Sequence, residues 1–257
     1  MAEQARRVER NEEELGNLPV WDLSDLYPGM DAPEIKRDLD EAAKLSADFE
    51  ARYKGKLAGL AGADGGAGLA EAIAAFERVE ETMGRLASYA GLVYSGDTTD
   101  PARAKFYGDL QDRLTTISTR LIFFALELNR LDDPLLEKAL EHPSLAVYRP
   151  WIEDLRLERP YQLDDTIERL FHEKSVTGRG AWNRLFDETL ASLRFEVDGE
   201  KLTLELTLNL MVSPDEARRR AAADALAATF KDNLRLFTLI TNVLAKDKSI
   251  SDDWRGF

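Results

Sequence analysis

The chain has 257 residues with 44% apolar and 32% charged positions, a mix that buries a sizeable core, and its net charge of −14 opposes binding to nucleic acid or anionic membranes, which need a basic face. Zero cysteines remove disulfides, thiol catalysis and thiolate metal sites together, and two histidines leave almost no imidazole chemistry. No apolar run approaches the roughly 18–20 residues that span a bilayer, and Met1 to Gly16 has no secretory apolar stretch, so a cytoplasmic protein is expected.

Residues 1–20 are charged and lose helical periodicity after Val8, which predicts a polar N-terminal segment. From Pro33 the period is helical, with Ile35, Leu39, Ala42, Leu45, Phe49 and Tyr53 three and four residues apart. Gly59 to Gly68 holds five glycines and reads as a linker without a regular element. A longer helix follows through Leu69, Ile73, Phe76, Val79, Met83, Leu86, Ala90 and Val93, running out at Gly96-Asp97. Asp100-Pro101 then supplies a capping carboxylate and a proline at the first helical position. The stripe behind it, from Phe106 through Ile117 and Phe124 to Leu131, predicts one helix of about thirty residues, roughly 45 Å long. Two such helices in succession must lie antiparallel. Shorter helices are signalled at Asp133-Pro134, near Ser144, at Asp164 and at Thr177, and Trp182 to Leu193 is amphipathic.

One stretch breaks the helical period. Phe195 and Val197 alternate with charged residues, and Asp198-Gly199 is a hairpin turn dipeptide. Leu202, Leu204, Leu206, Leu208 and Leu210 also alternate, and the strand is expected to run to about Leu206. Ser213-x-x-Glu216, with Pro214 at the first helical position, reads as a capping box opening one helix to about Lys246. The fold class is therefore all-α, with long antiparallel helices and one small β-hairpin near 194–206. It divides into the polar segment 1–20, a helical domain over 21–193, and a hairpin with a long helix over 194–257.

Candidate chemistry is sparse. Leu170-Phe171-His172-Glu173-Lys174-Ser175-Val176 has Val176 where a zinc helix needs its second histidine, and His142 beside Pro143 suits a helix end. Of the paired carboxylates Glu12-Glu13-Glu14, Glu80-Glu81, Asp132-Asp133, Asp164-Asp165 and Asp252-Asp253, the two central aspartate pairs fit helix caps better than acid–base work. Thr177-Gly178-Arg179-Gly180 could present amides to an anion but lacks the strand and lysine of a phosphate loop, and fits a turn between helices. Ser88, Ser95 and Ser192 have no histidine nearby in sequence. Trp182, Phe186, Phe230 and Phe237 fall on helical stripes and are expected in the core, while Tyr89 and Tyr94 could line a cleft near Gly96.

The motif Trp21-Asp22-Leu23-Ser24-Asp25-Leu26-Tyr27, the two long helices, the small hairpin, and the helix carrying Arg218-Arg219-Arg220-Ala221 occur in an order that resembles the oligoendopeptidase F branch of the thimet-type zinc metallopeptidases. The resemblance covers nearly everything from Trp21 to Phe257, and the segment from Leu244 onward looks like the lead-in to that family's catalytic half. It implies a helical shell around a channel that admits short unfolded peptides. It also implies zinc held by a His-Glu-x-x-His helix and a later glutamate in the full-length parent, with the motif glutamate as general base. No residue of this chain matches those positions, so catalytic, cofactor and metal residues are all assigned as none. The expected role is a non-catalytic wall of the substrate channel, inactive alone, with short peptides as the parent's partners and self-association through the face that would meet the catalytic half. The alternative is a stand-alone helical scaffold or interaction protein without catalysis.

Overall fold

A computed structural model describes residues 21–257; the expected polar segment 1–20 lies outside the described residues. Helices α1 (Pro33–Tyr53), α2 (Leu57–Gly62), α3 (Ala67–Gly96), α4 (Pro101–Ser118) and α5 (Ile122–Arg130) are followed by α6 (Asp133–Ala139), α7 (Pro143–Ala146), α8 (Arg149–Leu157), α9 (Asp165–Lys174) and α10 (Arg179–Ser192). Strands β1 (Phe195–Val197) and β2 (Glu200–Leu202) come next, then α11 (Leu204–Leu210), α12 (Glu216–Asp232) and α13 (Leu234–Arg255). The fold is mainly α, with one antiparallel hairpin pairing Phe195 with Leu202 and Val197 with Glu200. Its Asp198-Gly199 turn takes φ of 53° and 82°, the double positive φ that this dipeptide favours.

The main core gathers residues from Tyr27 to Ile152, with α3 as its axis between α1 and α4. Phe49, Phe76, Phe123 and Phe124 meet with ring centroids 4.8–6.3 Å apart. Ahead of α1, the buried Tyr27 ring packs on Tyr89, and its hydroxyl donates to Asp38 at 2.8 Å. Burial alone would raise the Asp38 carboxyl, but the bonds from Tyr27 and Arg37 hold it below the usual aspartate value. That bond fastens the chain ahead of the first helix to the core.

The glycine-rich stretch 59–68 is not a linker. It contains α2, a short 3₁₀ turn (Asp64–Gly66) and the start of α3, with Leu57 and Ala61 buried. The site needs both the small size and the positive φ that glycine allows. Gly66 has φ of +94°, and a Cβ there would lie 2.9 Å from the Ala139 carbonyl oxygen and from Leu145.

The helix expected over 101–131 is broken between α4 and α5. The hydroxyls of Thr116, Ser118 and Thr119 donate to the carbonyls of Asp112, Thr115 and Thr115, competing with the helical amides. The backbone then tightens, as Arg120 and Leu121 donate to Ile117 and Ser118. At the end of α5, Arg156 donates to the carbonyls of Leu128 and Leu131, capping the helix C-terminus with its charge.

Three further boundaries differ from expectation. The strand stops at Leu202, not Leu206, because Thr203 caps α11 and accepts from Leu206 N. β1 offers only three residues of pairing, so a longer β2 would be an unpaired edge. The capping box is replaced by Asp215, which accepts from Ala217 N, while Ser213 accepts from Asp215 N. The final helix is split at Asn233, whose side chain donates to the Thr229 carbonyl, and it continues past Lys246 to Arg255.

The C-terminal helices bury little. No residue of α9 or α10 is buried, and Ile240 alone is in α13. A small second core joins Phe195, Val197, Leu202 and Ala225. The last helix is tied back by charge: Arg255 makes a two-pronged contact with Glu168 of α9 at 2.7 and 2.8 Å and donates to the Tyr161 carbonyl. Burial would raise the Glu168 carboxyl, yet the bonds from Arg255 and Leu163 N hold it below its usual value of 4.5.

Gly66→Ala is expected to cost about 2–4 kcal/mol by denaturant unfolding, from left-handed strain plus overpacking. Gly59→Ala, in an exposed helix with open space, is expected to add about 0.5–1 kcal/mol. Glu168→Gln is expected to cost about 1.5–3 kcal/mol at pH 7, the range for hydrogen bonds to charged groups. Because the folded carboxyl titrates below its unfolded value, this stabilisation is complete above about 4.5 and is lost as pH falls through the folded value. The gap between wild type and Glu168→Gln in unfolding free energy should therefore narrow below pH 4.5.

Candidate functional site

The two histidines serve the fold. His142 caps α7, its Nδ1 accepting from Ser144 N at 3.3 Å. His172 on α9 meets Ser118 at the end of α4, with Nε2 to Oγ at 2.8 Å. Sequence spacing gave no sign of this pair, whose members lie 54 residues apart. Ser118 Oγ also donates to the Thr115 carbonyl at 3.2 Å, so the hydroxyl is shared between its own helix and the imidazole. With no carboxylate bonded to the ring, the pair is a tether between helices rather than a nucleophile and its base.

The carboxylates are used in the same way. Asp164 caps α9 by accepting from Thr166 N, and Asp165 pairs with Arg130. Asp132 occupies the capping position of α6 without a side-chain bond, while Asp133 takes Arg156 and Arg159. Glu80 and Glu81 are exposed on α3, Asp252 pairs with Lys248, and Asp253 is exposed; Glu12-Glu13-Glu14 lies outside the described residues. Among the described residues no group of three His, Cys, Asp or Glu side chains is placed to hold a metal ion. The zinc set implied by the resemblance does not fit these donors, since a zinc helix needs two histidines on one face and His172 faces Ser118.

Most amides of the turn at 177–180 are already bonded within it. Thr177 N and Gly178 N donate to the Lys174 carbonyl, Gly180 N to Ser175, and Ala181 N and Trp182 N to Gly178. Ser192 donates to the Thr189 carbonyl, Ser88 is exposed on α3, and Ser95 lies at a cleft described next.

Two clefts stand out. A groove of about 660 Å³ runs between the end of α1, the α4–α5 break and α9. Most of its charges are paired, Glu50 with Lys54 and Arg120, Arg169 with Glu173, and Asp165 with Arg130, while Asp112 also lines it. A second cleft of about 520 Å³ lies where the end of α3 meets α4, α10 and α11. Tyr94 lines it and stacks on Tyr107 at 4.8 Å with ring planes 3° apart, whereas Tyr89 is buried against Tyr27 and Phe106. The cleft near Gly96 therefore draws on one of the two tyrosines considered.

The aromatic residues expected in the core behave differently. Phe186 is exposed, and Trp182, Phe230 and Phe237 are half-buried. Phe237 contacts Phe186 at 5.7 Å and Phe230 at 5.9 Å, joining α10, α12 and α13. Leu185, Leu206, Leu208, Met211, Val212, Leu234, Leu239, Ile250 and Trp254 are further exposed apolar residues of the last third.

The sequence model of the oligopeptidase F family matches residues 127–195. Oligopeptidase PepF of Bacillus subtilis (strain 168) is 28% identical over 222 residues, covering 82% of this chain and 31% of the relative. The crystal structure of oligoendopeptidase-F from Enterococcus faecium superposes with a TM-score of 0.70 at 22% identity, over 87% of this chain and 44% of that one. This chain thus spans about a third of the curated relative it matches. Family match, relative and shared fold agree that the chain resembles the N-terminal part of the oligoendopeptidase F-like peptidases.

Proposed function

We propose that this chain is the non-catalytic helical part of a zinc metalloendopeptidase that hydrolyses short unfolded peptides in the cytoplasm, and that it forms one wall of the substrate channel. The observation that carries the reading is the uncovered apolar surface of α9–α13 in a chain similar to oligopeptidases over most of its length. Val212 is 79% exposed, Trp254 57% and Leu208 50%. In this reading the catalytic half packs on that surface, and the zinc, its ligands and the general base belong to that half. The 257 residues contain no His-Glu-x-x-His sequence. No helix among the described residues is long and apolar enough to cross a membrane.

The isolated chain is expected to cleave no quenched-fluorescence peptide and to retain no stoichiometric zinc after chelator-free purification. Cleavage is expected when a partner half bearing the metal motif is supplied. Chelator-sensitive cleavage by the chain alone would overturn the reading.

The uncovered face has its own readout. The chain is expected to bind an apolar probe dye and to self-associate in sedimentation experiments as concentration rises. Substituting Leu208 and Val212 by serine should weaken both effects while leaving the helical spectrum unchanged, since neither side chain is buried. A strictly monomeric, dye-free chain would favour the stand-alone scaffold.

A further inference from the structure

The cleft at the end of α3 has a composition that its neighbours do not use up. Tyr94 is 6% exposed, and its hydroxyl is buried with no hydrogen-bond partner, a state that costs stability in an apolar setting unless something donates to it. Its neighbour Tyr107 is satisfied, accepting from Gln111 at 2.9 Å, so the open acceptor belongs to Tyr94 alone. Around the cleft stand Asp187 of α10 and Glu205 of α11, neither of which has an ion-pair partner among the described residues. The cations near by are engaged. Arg184 lies 3.8 Å from Glu188, and Arg103 donates to the Val93 carbonyl and pairs with Asp100. Burial, then the carboxylates Glu188 and Asp187, push the Tyr94 hydroxyl above its usual value, marking a negative local field. Leu190, Ala191 and Leu204 supply an apolar wall beside these groups.

A pair of stacked tyrosines, two uncompensated carboxylates and an unfilled hydroxyl acceptor are the complement of an organic cation on an aliphatic stem. We propose that this cleft binds the cationic side chain, arginine or lysine, of a peptide. The charged head would sit between Asp187 and Glu205, with its methylenes on Leu190 and Leu204. The volume of about 520 Å³ falls in the ordinary range of small-ligand pockets and leaves room for the backbone on either side of the bound residue. The choice of a peptide as carrier rests on the peptidase reading above, but the site is made wholly of this chain's residues and its test reads binding, not cleavage.

The experiment titrates the 257-residue chain at low salt with three blocked tripeptides, acetyl-Ala-X-Ala-amide, where X is arginine, lysine or citrulline, following amide shifts or heat. Saturable binding of the arginine or lysine peptide is expected, with the neutral citrulline isostere at least tenfold weaker. A preference between arginine and lysine tells a guanidinium site from an ammonium site. Asp187→Asn with Glu205→Gln, both at exposed positions, is expected to lower affinity at least tenfold, and Tyr94→Phe severalfold. Glu216→Gln, at the start of α12, is the control and should leave affinity unchanged. Equal binding of citrulline and arginine peptides, an unaltered affinity in the double variant, or no saturable binding to the wild-type chain would each overturn the site. Failure there leaves the peptidase reading standing, because cleavage with a supplied partner half does not depend on it.

Discussion

An amphipathic helix draws most of its stability from whatever covers its apolar stripe, since propensity alone holds short helices only marginally. This constraint separates the two ends of the molecule. The stripes of α1, α3, α4 and α5 meet in one core in which Leu69, Phe124 and Ile152 are fully buried. In α9, α10 and α13 Ile240 alone is buried, and α9 is held by polar contacts: the Glu168–Arg255 contact, the Ser118–His172 tether and the Arg130–Asp165 pair. Charge pairs fix direction well but stabilise modestly, so this end of the molecule is positioned more firmly than it is stabilised.

That division gives the functional reading its physical form. A wall of a peptide channel needs a rigid outer body and an inner surface that accepts something else. The main core supplies the first. In the proposed reading the exposed leucines of α11, which the helix distributes around its axis, and the aromatic cluster of α10, α12 and α13 would supply the second. The tyrosine-lined cleft lies where α10 and α11 approach the end of α3, at the seam between the two ends, where a peptide side chain would contact both.

Much of the architecture was legible in the sequence because it is written in local signals. Asp100-Pro101 and Asp164 cap the helices they were expected to cap, and Asp198-Gly199 turns the hairpin. The misreadings share a cause, that local pattern is silent on what lies across from it. The glycines of 59–68 resemble a linker until Ala139 and Leu145 are seen against Gly66. The alternating leucines of 202–210 resemble a strand until β1 is found to be three residues long. The stripe through 101–131 runs unbroken across a kink that its own hydroxyls create. The Glu168–Arg255 and Ser118–His172 contacts join residues 87 and 54 apart, and neither partner carries a motif that names the other.

Native-state hydrogen exchange measures the central claim directly, because it assigns an opening free energy to each helix. Amides of α1, α3 and α5 should exchange only through global unfolding, while those of α9, α10 and α13 should exchange through a smaller, separate opening at least a hundredfold more often. Equal protection of all these helices in the isolated chain would contradict the account, showing that the last third is stabilised as fully as the first two.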